Sequence, residues 1–589
     1  MQSTETNAAK GSNTTWDMGT DTTLIHILAR NAELLGNRVA MREKHLGIWQ
    51  ETTWSQMLDT TLACAAGMES LGFSAEDALL VLGDNRPRLY MGMLAAGVLG
   101  GYAMPVYSTA TPDEIRHFMH ETHVRFVLAE DQEQVDKVLD LGDQGATIKN
   151  IIYDEPRGLT NYSNPGLISW EKLQAIGADR LRAEPKLRNA LIERALPDGP
   201  AVFVHSSGTT GKPKGVMISF NAMISALRGT SKVMSFSNSD RMISYLPLAH
   251  AAERAILETG SLFYGFHVYF SFGLDSFIQD LQRARPTLFF SVPRLWTKFY
   301  NGICGKIPLN VQNIIFRIPI LSGLFKKFLL KKLGLAEVRM ALSGSAPLAP
   351  ALMSWYRNLG LDLLEGYAMS ENFAYSHCSL PGKVRVGYVG NTYPGVECKI
   401  SEVGEVLVKS PCNMMGYYKN PELTAESYTA DGFLKTGDMG VIDEQGRLKI
   451  TGRVKELFKT SKGKYIAPVP IENRLNGHEL IEAVCVTGPS FSQPFALVML
   501  PLEEHKQVEQ NPNEAARVES EMTELLHKVN DQLEAHEKLS CIVVVKELWT
   551  MENGFLTPTM KIKRNVIEQH YLPKAEGWVA LKKPVVIEQ

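Results

Sequence analysis

The chain of 589 residues has no run of about 18 apolar residues, the length a helix needs to cross a bilayer. Its longest apolar stretches, such as residues 91–104, are broken by glycines and fit a buried helix or strand. Cysteine is sparse. The seven, Cys64, Cys304, Cys378, Cys398, Cys412, Cys485 and Cys541, are scattered and form no C-x-x-C pair. That pattern excludes a disulfide framework and a cysteine zinc site, and it fits a reducing, cytoplasmic setting. Neither charge dominates: 61 Lys and Arg stand against 64 Asp and Glu, a net charge of -3. The total therefore carries no global signal for nucleic acid or anionic lipid, although a local basic patch remains compatible with it. No repeat at a fixed period is visible, which excludes a solenoid or propeller. Residues 1–20 are polar, without the apolar core of a signal peptide, and are expected to form a loose tail.

What the chain does have is the composition of a large globular protein, with 44% hydrophobic and 21% charged residues. Short apolar runs alternate with longer amphipathic segments, as in 78–82 before 88–99 and 124–129 before 132–141. This rhythm predicts an α/β architecture with largely parallel sheets. Three Gly/Ser-rich turns follow apolar runs: 205–215 after 201–204, 343–347 after 338–342, and 365–372 after 361–364. Ligands in open α/β sheets bind beyond the carboxyl ends of strands, so these turns are expected to line one crevice. After residue 452 the character changes: strands at 484–486, 495–499 and 542–545 surround a charged helix at about 514–538. The expected division is a large domain at 21–452, a hinge at 453–455 and a small α+β domain at 456–589.

The most informative segment is His205-Ser-Ser-Gly-Thr-Thr-Gly-Lys-Pro-Lys-Gly215. Its glycines let the backbone approach a ligand closely, its hydroxyls add donors, and Lys212 and Lys214 add positive charge. It reads as a phosphate cradle, although G-x-x-x-x-G-K-[ST] cannot be fitted to it. A bare cluster of this composition also suits a flexible surface loop.

The full string resembles the phosphate loop of the adenylate-forming superfamily, with His205 where Tyr is usual. Further motifs resemble the same family in order: Tyr245-Leu-Pro-Leu-Ala-His250, Gly366-Tyr-Ala-Met-Ser-Glu371, Thr436-Gly-Asp438, Gly452-Arg453 and Leu556-Thr-Pro-Thr-Met-Lys561. The resemblance implies an α/β fold: a large multi-subdomain adenylate-forming domain and a small mobile α+β lid. It implies ATP, magnesium and coenzyme A. Ser206, Ser207, Gly208, Thr209, Thr210, Gly211 and Lys214 would hold phosphate. Gly344, Ser345, Ala346, Tyr367 and Ser370 would face the adenine. Asp438 and Arg453 would clamp the ribose, while Glu371 and Thr210 would meet magnesium. Lys561 would bridge the attacking carboxylate and the α-phosphate. The lid would turn about Lys455 so that Gly463 comes to face the pantetheine channel. His250 is grouped with the catalytic residues in a gating role, because a carboxylate already ionised near neutral pH needs no base.

Asp431-Gly-Phe-Leu-Lys-Thr-Gly-Asp438 and the segment Gly452 to Pro468 resemble the long-chain fatty-acyl-CoA synthetase branch. One departure, Ala251-Ala252 in place of bulky residues, either widens the acyl entrance or reflects repacking. Phe263, Tyr264, Phe266, Tyr269, Phe270, Phe289 and Phe290 lie where the family builds its acyl tunnel, and aromatics at strand spacing also make core. Residues 314–335 combine Lys326, Lys327, Lys331 and Lys332 with apolar residues. The pattern favours an internal helix with lysines outward over a peripheral membrane contact. The implied activity is ATP-dependent ligation of a long-chain fatty acid to CoA. The alternatives are an acyl-AMP ligase loading a carrier protein and a catalytically silent acyl-binding protein. Nucleic acid is not an expected partner, and the oligomeric state is left open.

Overall fold

The run Ala-Leu-Leu-Val-Leu at Ala78–Leu82 is buried along its whole length, as expected of a parallel strand covered on both faces. It forms the middle of an eight-stranded sheet in a computed structural model that describes residues 22–75, 77–206, 214–273, 275–557 and 560–588. From one edge the strands run Gly416–Tyr417, Lys214–Ser219, Pro200–Ser206, Tyr102–Val106, Ala78–Leu82, Val124–Ala129, Asn150–Tyr153 and Leu167–Ser169. The six from Pro200–Ser206 to Leu167–Ser169 are joined by parallel pairings, while Lys214–Ser219 turns back antiparallel on Pro200–Ser206. The helices Trp54–Ser70 and Trp170–Ala183 touch through glycine: a Cβ on Gly177 would lie 1.8 Å from the Ala63 carbonyl oxygen.

A second sheet begins with three parallel strands, Leu288–Ser291, Met340–Ser343 and Leu363–Tyr367. Their carboxyl ends lead into residues 292–293, 344–346 and 368–371, all of which line one cleft. An antiparallel sheet of Glu397–Ile400, Glu405–Lys409, Leu434–Ile442 and Leu448–Arg453 adds another wall. Beyond it, two hydrophobic clusters are built only from residues 458–587. They cover a four-stranded sheet, Ala483–Thr487, Phe495–Met499, Ile542–Val544 and Val585–Ile587.

Several sequence expectations shift. The strand expected at 361–364 is Leu363–Tyr367, so Tyr367 is fixed by strand pairing with His377 rather than lying in a turn. The helix expected at 514–538 is Pro512–Asn530. Residues 314–335 are not one helix. They divide between Leu309–Phe316 and Pro319–Lys332, because Ile318 precedes proline and adopts an extended conformation (φ -96°, ψ 106°). Their apolar residues divide as well: Leu329, Leu333 and Leu335 are buried, whereas Ile320 is 83% exposed and Leu324 64%.

Candidate active site

Asp438 and Arg453 are directly paired across neighbouring antiparallel strands. The Arg453 Nε donates to Asp438 Oδ1 at 3.0 Å, and the Tyr367 hydroxyl donates to Oδ2 at 2.8 Å. The carboxylate is buried and keeps lone pairs beyond these two bonds, so it can still accept from a diol. Gly437 holds a left-handed φ of 72°, and its N–H donates to Glu405 Oε1 at 2.9 Å. A residue with a Cβ would strain this turn and displace Asp438. Tyr367 and Asp438 therefore form one polar wall.

The opposite wall follows the strand Met340–Ser343. Ser345 carries a left-handed φ of 71°, uncommon outside glycine. Its Oγ lies 3.3 Å from His250 Nε2. The Ala252 N–H donates to His250 Nδ1 at 3.1 Å, which leaves the ring proton on Nε2, directed at Ser345. Burial first, and then the nearby Lys561 charge, hold the His250 pKa down at about 3. The ring is neutral and its Nδ1 is occupied, which suits gating rather than proton abstraction. Glu365, which the sequence reading placed in the 365–372 turn without giving it a role, lines the same cleft. Burial raises its pKa to about 7, and it accepts from the Leu348 N–H at 3.1 Å.

Glu371 sits in a short turn at the end of the second sheet, with one carboxylate oxygen held by the Tyr417 hydroxyl at 2.9 Å. The Lys214 ammonium lies 5.5 Å from the centre of the Tyr417 ring. Lys214 and Glu371 thus share Tyr417, a residue that no motif marked. Ser207, Gly208, Thr209, Thr210 and Gly211 lie outside the described residues, as does the side chain of Ser206. Among the described residues no group of three or more His, Cys, Asp or Glu can enclose a metal. A single carboxylate such as Glu371 fits magnesium held mainly by nucleotide phosphates.

Lys561 reaches this cleft from the other side. Its side chain is open to the cleft, with protein massed around it at longer range. Desolvation first, and then the Arg453 charge, lower its pKa to about 8, with Asp438 opposing them. Its loop is closed by Thr557, whose N–H donates to the Lys561 carbonyl at 2.8 Å. The neighbouring Met560 carbonyl accepts from Arg294 at 3.4 Å, and Arg294 also pairs with Glu482 at 2.9 Å. Arg294 therefore ties the helix Pro293–Cys304 to the segment that carries Lys561. Arg564 is different in kind: it is clamped to Glu472 at 2.6 Å and the Val486 carbonyl at 2.7 Å, inside the small core. Lys455 lines the cleft, whereas Gly463, in a turn with φ 78°, does not.

The cleft has a volume of about 2150 Å³ and continues past His250 into apolar surroundings. That exceeds the roughly 300–1,000 Å³ typical of one small-molecule pocket. Ala226, Ala251, Ala252 and Ala255 line it together with Phe236 and Phe373. All seven residues of the expected aromatic stretch belong to packed clusters, and three of them, Tyr264, Phe289 and Phe290, also line the cavity.

Comparison with known proteins agrees with this architecture. The chain is 27% identical over 574 residues to the long-chain-fatty-acid–CoA ligase FadD15 of Mycobacterium bovis, covering 90% of this chain and 92% of that one. It is 29% identical to the peroxisomal long chain acyl-CoA synthetase 7 of Arabidopsis thaliana, covering 95% and 87%. In fold it matches the adenylation domain of a carboxylate reductase from Mycobacterium chelonae, with a TM-score of 0.76, 22% identity and coverage of 95% and 91%. It also matches an anthranilate CoA ligase in complex with anthranoyl-AMP, with a TM-score of 0.74, 19% identity and coverage of 95% and 99%. The family model for AMP-binding enzymes matches residues 28–418, more than half the chain, and that for the AMP-binding enzyme C-terminal domain matches residues 456–577, so the chain belongs to the AMP-binding enzyme family.

Proposed function

We propose that this protein is an ATP-dependent long-chain fatty acid–CoA ligase. In the first step a fatty carboxylate oxygen attacks the α-phosphorus of ATP, giving acyl-AMP and pyrophosphate. In the second the CoA thiol attacks the acyl carbonyl, loses its proton and expels AMP. The observation that carries the reading is one continuous cleft. It runs from the polar Asp438–Arg453–Tyr367 wall, past Lys561 and His250, into a large apolar cavity. Names of relatives over nearly the whole chain support a fatty acid and CoA as substrates.

Each residue has a derived task in this reading. Asp438 accepts from the ribose hydroxyls, and Arg453 orients Asp438. Lys561 presents a positive charge between carboxylate and phosphate, where negative charge is crowded in the transition state. Neutral His250 borders the acyl cavity and swings as it fills. Glu371 would hold magnesium, which supplies charge neutralisation at the phosphates. The arrangement with Lys561 inward and Gly463 away from the cleft suits acyl-AMP formation. Rotation at 453–455 would withdraw Lys561 and admit the thiol, and we assign the domain boundary there. The test is pyrophosphate release and thioester formation from acids of rising chain length, with and without CoA. Pyrophosphate without thioester would favour a carrier-protein acceptor, and no release with any acid would overturn the reading.

A further inference from the structure

The helical hairpin Leu309–Phe316 and Pro319–Lys332 is unusual on this surface. Of 23 large apolar side chains exposed among the described residues, eight fall in residues 309–328. Ile314, Ile318, Ile320, Leu321, Leu324 and Phe328 form the core of that patch. In the second helix, Ile320, Leu324 and Phe328 recur every four residues and so share one face. A monomer rarely leaves so contiguous an apolar patch bare without using it.

The patch is a built feature. Gln312 is buried, donates to the Ile307 carbonyl at 2.6 Å and accepts from Trp355 Nε1 at 3.0 Å. The rings of Phe316 and Phe325 pack with centres 5.8 Å apart. Leu329 and Leu333 join the buried cluster beneath. The outward apolar residues are therefore held in place by a second, inward set.

Charge identifies the partner. Residues 281–336 contain no Asp or Glu and ten Lys or Arg, in a chain whose net charge is -3. Lys327, Lys331 and Lys332 are exposed beside the apolar face. The Lys332 ammonium lies 5.7 Å from the Phe328 ring centre, so its stem runs along that face. Protein–protein interface cores are depleted in lysine, whereas an interfacial helix on a bilayer combines apolar residues with lysines that reach the headgroups. No helix among the described residues is long and apolar enough to cross a membrane. We propose that this hairpin lies on the surface of an anionic phospholipid bilayer, with Ile320, Leu324 and Phe328 among the acyl chains and the lysines on headgroup phosphates. This inference stands independently of the catalytic reading.

The experiment is co-sedimentation of the full chain with phosphatidylcholine vesicles, with and without phosphatidylglycerol, at low and high salt. Binding is expected to need the anionic lipid and to weaken with salt. Changing Lys326, Lys327, Lys331 and Lys332 to Glu should lower it at least about tenfold. A second variant, Ile320→Ser with Leu324→Ser, should lower it comparably while leaving the melting temperature within about 2 °C, because both side chains already face water. Unchanged binding by either variant, or equal binding to neutral vesicles, overturns the proposal. Absence of vesicle binding together with a hairpin-dependent dimer in light scattering overturns it in favour of a protein contact.

Discussion

Replacing Lys561 by Ala separates the two half-reactions. The side chain stands in the cleft against Arg453 and Asp438, and its pKa lies at about 8. Removing a preorganised charge of this kind costs about 3–4 kcal/mol of barrier, on the order of a hundredfold to a thousandfold in rate. The loss should appear in pyrophosphate release measured without CoA. Thioester formation from supplied acyl-AMP and CoA should stay within about threefold of the parent, because the proposed rotation at 453–455 would withdraw Lys561 in that step. The pH profile gives a second readout. Lys561 is charged below its pKa and neutral above it, so acyl-AMP formation should fall about tenfold between about pH 7 and pH 9. Lys561→Arg keeps its charge throughout and should lose that alkaline fall, even where its rate is lower. Equal losses in both half-reactions, or an alkaline fall unchanged in Lys561→Arg, would refute the assignment.

Other perturbations test the surrounding parts. Arg294→Ala removes a half-exposed pair with Glu482 and the bond to the Met560 carbonyl. Pyrophosphate release should drop about fivefold or less, matching a contact of about 1 kcal/mol, while the acyl-AMP to thioester step is unaffected. Glu253 is buried, receives bonds from Tyr90 and Asn85, and has its pKa raised to about 8 by burial. The folded state thus holds its proton more tightly than the unfolded chain. The stability Glu253 confers is complete below about pH 4.3 and is lost as pH rises to about 8. Glu253→Gln should therefore lose less melting temperature than the parent between about pH 6 and pH 9, and an identical loss would contradict the shift. Ala255 lines the apolar cavity, so Ala255→Phe should cut kcat/KM for long acids at least about tenfold and spare short ones.

Strands buried on both faces were readable because their apolar runs are continuous, as at Ala78–Leu82. The antiparallel sheet carrying Asp438 was not: Glu397, Lys399 and Lys435 interrupt its apolar pattern at exposed positions. Its motif, not its periodicity, located Asp438. Partners far apart in sequence were also hidden. No local signal joins His250 to Ser345, Glu371 to Tyr417, or Arg294 to Glu482, which lies 188 residues away. The hairpin at 309–332 misled for a physical reason. Apolar periodicity reports that a face is apolar, not that protein covers it, and here Ile320 and Leu324 face solvent.

The most direct test of the account follows pyrophosphate and thioester together as the acid is lengthened. Both should rise with chain length as the apolar cavity fills, and thioester should form only when CoA is present. Equal turnover of short and long acids, or pyrophosphate release that never yields thioester with free CoA, would contradict it.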